Sequence, residues 1–111
     1  MDHSLREFKA DFFRALAHPA RIRVLETLVQ GERTVQELQS ILGLDQSVVS
    51  QHLAVLRTKN IVAAQKVGTT VRYGVRDPLL GELLDTARRI FDRHLVGAQG
   101  LLRELRRERA R

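Results

Sequence analysis

The feature that most constrains this chain is a change of period. Up to Lys59, apolar residues recur every three or four positions; from Ile61 they alternate. Over 111 residues that pattern leaves room for one small, mainly helical domain (1–111) carrying a β-hairpin, in the order α-α-α-α-β-β-α.

Local chemistry marks the boundaries. Leu5, Phe8, Phe12 and Leu16 form the stripe of a first amphipathic helix. It stops near His18-Pro19, because a residue before proline is pushed out of the α region. Pro19 suits the first turn of the next helix, whose stripe is Ile22, Leu25 and Leu28 and whose end is Gly31. Thr34 and Glu37 have the spacing of a capping box, opening a short helix in which Val35, Leu38, Ile41 and Leu42 face the core; Gly43 ends it. Asp45 is the expected N-cap of a fourth helix running to about Lys59, with Val49, Leu53 and Leu56 on its apolar face.

Beyond Ile61, Val71, Tyr73 and Val75 alternate with Arg72 and Gly74, and the run 62–67 pairs with them across Gly68-Thr69-Thr70. Asp77-Pro78 then caps a last helix with Leu80, Leu83, Leu84, Ala87, Ile90, Phe91 and Leu95 on its apolar side. Gly97 and Gly100 weaken it, so the basic tail 97–111 is expected to fray or to bind an acidic surface.

Nineteen Lys and Arg against thirteen Asp and Glu leave a net charge of +6, which attracts polyanions. There is no cysteine, which removes disulfides, thiolate metal sites and thiol switches together. The start MDHSLREFK lacks the apolar core of a signal peptide, and no apolar run approaches the ~20 residues of a membrane span, so a cytoplasmic location is expected. No Gly-rich phosphate loop and no paired carboxylates on one face suggest an enzyme.

A short helix, a glycine turn and a second helix opening with small polar residues form a helix-turn-helix, and the hairpin after it supplies a wing. The second helix carries Gln46, Ser47, Ser50 and Gln51 on its outer face, with Ala54 further along. Gln can bond an adenine edge bidentately and Ser can serve either base pair, so these four are the expected base readers in a major groove. Arg57, Lys59, Lys66 and Arg72 flank them as expected phosphate contacts, with His52 packing or touching phosphate.

Residues 15–28 (ALAHPARIRVLETL), 34–62 (TVQELQSILGLDQSVVSQHLAVLRTKNIV) and 71–75 (VRYGV) resemble the ArsR/SmtB family of bacterial winged helix-turn-helix repressors, over roughly 8 to 95. The resemblance implies double-stranded DNA as partner and a homodimer joined through the first and last helices, with Leu5, Phe8, Phe12, Leu80, Leu84, Ala87 and Phe91 at the interface. It also implies an operator that is an imperfect palindrome, its half-sites about 34 Å apart, and repression relieved by an effector. His18, in the family's AHPAR motif, is expected to satisfy local backbone beside Pro19.

The family's metal sites are not kept. Glu37-Leu38 is followed by Gln39-Ser40-Ile41 where thiolates would stand. Asp77 remains of the last-helix site, but Leu79, Ile90 and Arg93 fill its other places, and zinc needs about four N, O or S donors. No cofactor is expected for folding. Asp2, His3 and His94 stay as candidates for Ni(II) or Cu(II), since an amino terminus followed by His at position three suits square-planar ions. Two alternatives stand beside the repressor: a winged-helix protein-interaction adaptor, and a regulator governed by an unidentified protein partner.

Overall fold

The computed structural model describes residues 2–110. The elements run α1 (Asp2–Leu16), α2 (Pro19–Gln30), α3 (Val35–Leu42), α4 (Gln46–Thr58), β1 (Val62–Val67), β2 (Thr70–Val75) and α5 (Leu79–Ala110), the order expected. They fall into two compact units, the first ending at Leu80 and the second beginning at Gly81.

In the first unit the helix ends are set by the predicted residues. His18 is extended (φ −148°, ψ 128°) as a pre-proline residue should be. Its Nδ1 accepts the Ala20 N–H at 3.0 Å, capping α2. Thr34 and Glu37 close the capping box reciprocally, the Glu37 N–H donating to Thr34 Oγ1 at 3.1 Å and the Thr34 N–H to Glu37 Oε1 at 3.0 Å. Gly43 takes the left-handed conformation (φ 67°) that a residue with a Cβ would resist. Asp45 occupies the N-cap position of α4, but its side chain makes no capping hydrogen bond.

The core is the meeting of Val24, Leu25 and Leu28 of α2 with Leu38 and Leu42 of α3 and Val49, Leu53 and Leu56 of α4, closed by Ile61 and Val62. Each such side chain contributes about 1.5–3 kcal/mol by leaving water. Three residues expected to face the core lie outside it: Ile22 is 37% and Ile41 51% exposed, and Val35 is half-buried. The α2 stripe is centred on Val24, Leu25 and Leu28, which turns Ile22 about 110° away around the helix.

β1 and β2 pair antiparallel from Val62 with Val75 to Val67 with Thr70, leaving Gly68 and Thr69 as a two-residue turn. Gly68 has φ 64°, the positive angle a type II′ turn places at its first central residue. Arg33 then pairs with Tyr73 through both backbone bonds, Arg33 N–H to Tyr73 C=O at 2.9 Å and Tyr73 N–H to Arg33 C=O at 2.8 Å. The hairpin is thereby fastened to the segment leading into α3, which a free two-stranded hairpin would need for stability.

At the start of α5, Asp77 Oδ1 accepts the Leu79 N–H at 2.9 Å, and Leu80 is buried at 7% exposure. The second unit is the rest of α5. Arg88 bridges Asp85 (2.9 Å) and Asp92 (3.0 Å) on its surface. Helix continues through Gly97 and Gly100 to Ala110. Two glycines cost about 1 kcal/mol each, set against a run rich in Leu, Arg and Glu, and Arg107 and Arg109 complement the helix dipole in the last turn.

Candidate nucleic-acid interface

Gln46, Ser47, Ser50, Gln51 and Ala54 form one exposed face of α4. They are exposed because Val49, Leu53 and Leu56, at 0%, 2% and 0% exposure, fix the opposite face in the core. β2 and the turn of the hairpin lie beside this helix. One polar cleft is lined by Gln36 and Gln39 of α3, Gln46 of α4 and Thr69 and Thr70 of the turn. A second is lined by Ser50, Ala54, Arg57 and Thr58 of α4 and Tyr73 of β2.

The expected phosphate contacts divide into two kinds. Arg57 and Lys66 are exposed and make no side-chain hydrogen bond or ion pair among the described residues. Lys59 instead ion-pairs with Asp11 of α1, a residue to which sequence reasoning gave no role. Arg72 is drawn back toward the entry of α3, its Nη2 donating to the Glu32 carbonyl at 3.1 Å and its Nη1 lying 3.7 Å from the Glu37 carboxylate. That carboxylate is held below the ordinary range, chiefly by the Thr34 backbone N–H.

His52 is half-buried and packs on His18, ring centroids 4.5 Å apart and planes tilted by 52°. Its pKa is lowered by burial first, then by the neighbouring His18 and Arg21. Arg21 is itself anchored, its Nε donating to the Ala15 carbonyl at 2.6 Å. His52 is thus set apart from the exposed row.

On α1, Leu5 and Phe8 are 54% and 73% exposed, while Phe12 is half-buried against Phe13, ring centroids 5.4 Å apart. Phe13, which sequence reasoning passed over, is 56% exposed. On α5, Phe91 is exposed and Leu84 and Ala87 are half-buried. Leu80 is the exception among the expected interface residues. It is consumed by the core of its own protomer, so little of it remains for a second chain to cover.

Of the three metal candidates, only the His94 side chain falls within the described residues. The Asp2 and His3 side chains lie outside the described residues, and His94 is exposed on α5. Asp77, the residue left of the last-helix site, has Oδ1 engaged with the Leu79 N–H. Among the described residues no three His, Asp or Glu side chains gather to hold an ion, and the residues present do not fit either family metal site.

Two helices joined at a left-handed glycine, the second with an exposed polar face and a hairpin fastened beside it, define a winged helix-turn-helix. Residues 18–64 match the family model for bacterial regulatory proteins of the arsR family. A protein named as the uncharacterized HTH-type transcriptional regulator Rv0081 of Mycobacterium tuberculosis is 46% identical over 103 residues, covering 92% of this chain and 90% of that protein. Its crystal structure superposes with a TM-score of 0.79 over 85% of this chain and 95% of that one. A protein named as a probable mercury resistance operon repressor of Streptomyces lividans is 42% identical, covering 71% of this chain and 63% of that protein. The homodimeric winged helix-turn-helix DNA-binding domain of Mycobacterium bovis Mb0332, solved in solution, is 28% identical with a TM-score of 0.78, covering 85% of this chain and 87% of that one.

The chain belongs to the ArsR family of bacterial regulatory proteins. It is a DNA-binding transcriptional regulator and not an enzyme. Among the described residues, no helix is long and apolar enough to cross a membrane.

Proposed function

We propose that this chain is a cytoplasmic repressor that binds an imperfect palindromic operator as a homodimer, each protomer inserting α4 into a major groove. The observation that carries the reading is the exposed row Gln46, Ser47, Ser50 and Gln51 on a helix whose other face is locked in the core. Gln and Ser on such a face can reach base edges without a clash, and Arg57 and Lys66 stand ready for phosphates. The homodimer is supported by Leu5, Phe8 and Phe91, large apolar side chains left in water by the protomer, and by the homodimeric relative from M. bovis. Repression is supported by relatives named as repressors.

Control by a metal at the family's own sites finds no support in these residues. Any Ni(II) or Cu(II) response falls to Asp2 and His3, with His94, and is tested by titrating each ion onto the operator complex. The repressor reading itself is tested by the double variant Ser50→Ala, Gln51→Ala, which loses operator affinity and selectivity without losing thermal stability.

A further inference from the structure

We propose that the cleft between α4 and the wing is a phosphodiester seat, in which Arg57 and the Tyr73 hydroxyl hold one DNA backbone phosphate per protomer. The proposal rests on the regulator reading and adds to it a site and a residue, Tyr73, outside the expected DNA-binding set.

The cleft is lined by Ser50, Leu53, Ala54, Arg57, Thr58 and Tyr73. Its chemistry is that of an anion site. Arg57 brings a guanidinium with no ion pair among the described residues, whereas the neighbouring cations Lys59 and Arg72 are engaged with Asp11 and with Glu32 and Glu37. Ser50 and Tyr73 add hydroxyl donors. Thr58 does not, because its Oγ1 already donates to the Ala54 carbonyl at 2.8 Å.

Tyr73 is also the most firmly placed residue of the wing. Its backbone lies opposite Ala64 on β1 and is paired to Arg33 on its other side, so the ring is carried on a strand fastened at both edges. A hydrogen-bond donor held this way loses little freedom on binding. The position suits the ligand. A helix in the major groove and a wing over the adjacent minor groove are separated by one sugar-phosphate strand, and that strand must pass between α4 and β2.

The test measures the full-length protein by fluorescence anisotropy across a salt series, on a duplex spanning the promoter of its own gene and on a scrambled duplex. The variants are Arg57→Gln and Tyr73→Phe, the latter keeping the ring and removing only the hydroxyl. The expected result is that Tyr73→Phe binds both duplexes about a hundredfold more weakly, the loss of one hydrogen bond to a charged group in each of two protomers at about tenfold apiece. Arg57→Gln should lower the slope of log affinity against log salt by about 0.9 per protomer on both duplexes. Wild-type affinity and slope in both variants would overturn the seat. Weakening confined to the promoter duplex would also overturn it, because it assigns these residues to base readout. Failure of the unmodified protein to bind either duplex would remove the regulator reading and the seat together, an outcome visible before any variant is made.

Discussion

Lys59, which closes α4, ion-pairs with Asp11 in the middle of α1, across 48 residues of sequence. The C-terminal end of the exposed polar helix is thereby tied to the helix that leaves Leu5 and Phe8 in water. Asp11 has its pKa lowered chiefly by the hydrogen bond from Lys59. A carboxylate lowered in the folded state stabilises above its ordinary pKa, and that contribution is lost as pH falls through the lowered value.

Lys59→Gln is expected to keep the wild-type salt dependence of DNA binding, since Lys59 is already neutralised by Asp11, and to lower the melting temperature slightly. Asp11→Asn should lower it by a similar amount at neutral pH and remove that part of the acid sensitivity. A salt slope reduced by about 0.9 per protomer in Lys59→Gln would show that Lys59 leaves Asp11 for a phosphate.

His52 gives a second, separate pH response. Because its pKa is lowered in the fold, the folded protein resists a proton that the unfolded chain accepts. The sign is that stability is fully present above the ordinary imidazole pKa and falls as pH drops from there toward the lowered value. Thermal melts from pH 7.5 to 5 should therefore show a decline that His52→Gln flattens. An identical decline in the variant would place its origin in other groups.

Phe8→Glu tests the assembly. At 73% exposure Phe8 supports little of the protomer's own core, so the variant should keep a wild-type helical circular dichroism signal. It should sediment as a monomer and bind operator DNA at least tenfold more weakly, because the two half-sites are no longer bound by one particle. A variant that stays dimeric would place the interface elsewhere.

What was legible in the sequence is what local chemistry determines. Pro19 and His18 set one helix boundary, the Thr34–Glu37 box another, and Gly43 the turn, each through contacts a few residues apart. Val49, Leu53 and Leu56 revealed the buried face of α4 and, by subtraction, its exposed one. Long-range relationships were not legible. Nothing near Lys59 or Arg72 in sequence points to Asp11 or Glu32 as their partners. Tyr73 looked like an ordinary strand residue until β2 was set beside α4, and Leu80 looked like a free apolar face until the core closed over it.

We propose that the exposed face of α4 reads the operator. That role is tested most directly by fluorescence anisotropy on a duplex spanning the protein's own promoter against a scrambled duplex, in EDTA, for the wild type and for the Ser50→Ala, Gln51→Ala double variant. The metal-free wild type should bind tightly and promoter-selectively, with affinity that falls steeply with salt, and the double variant should lose that selectivity at an unchanged melting temperature. Wild-type protein that binds neither duplex, or a double variant as selective as the wild type, would contradict it; the first result would favour a winged helix that works by contacting another protein.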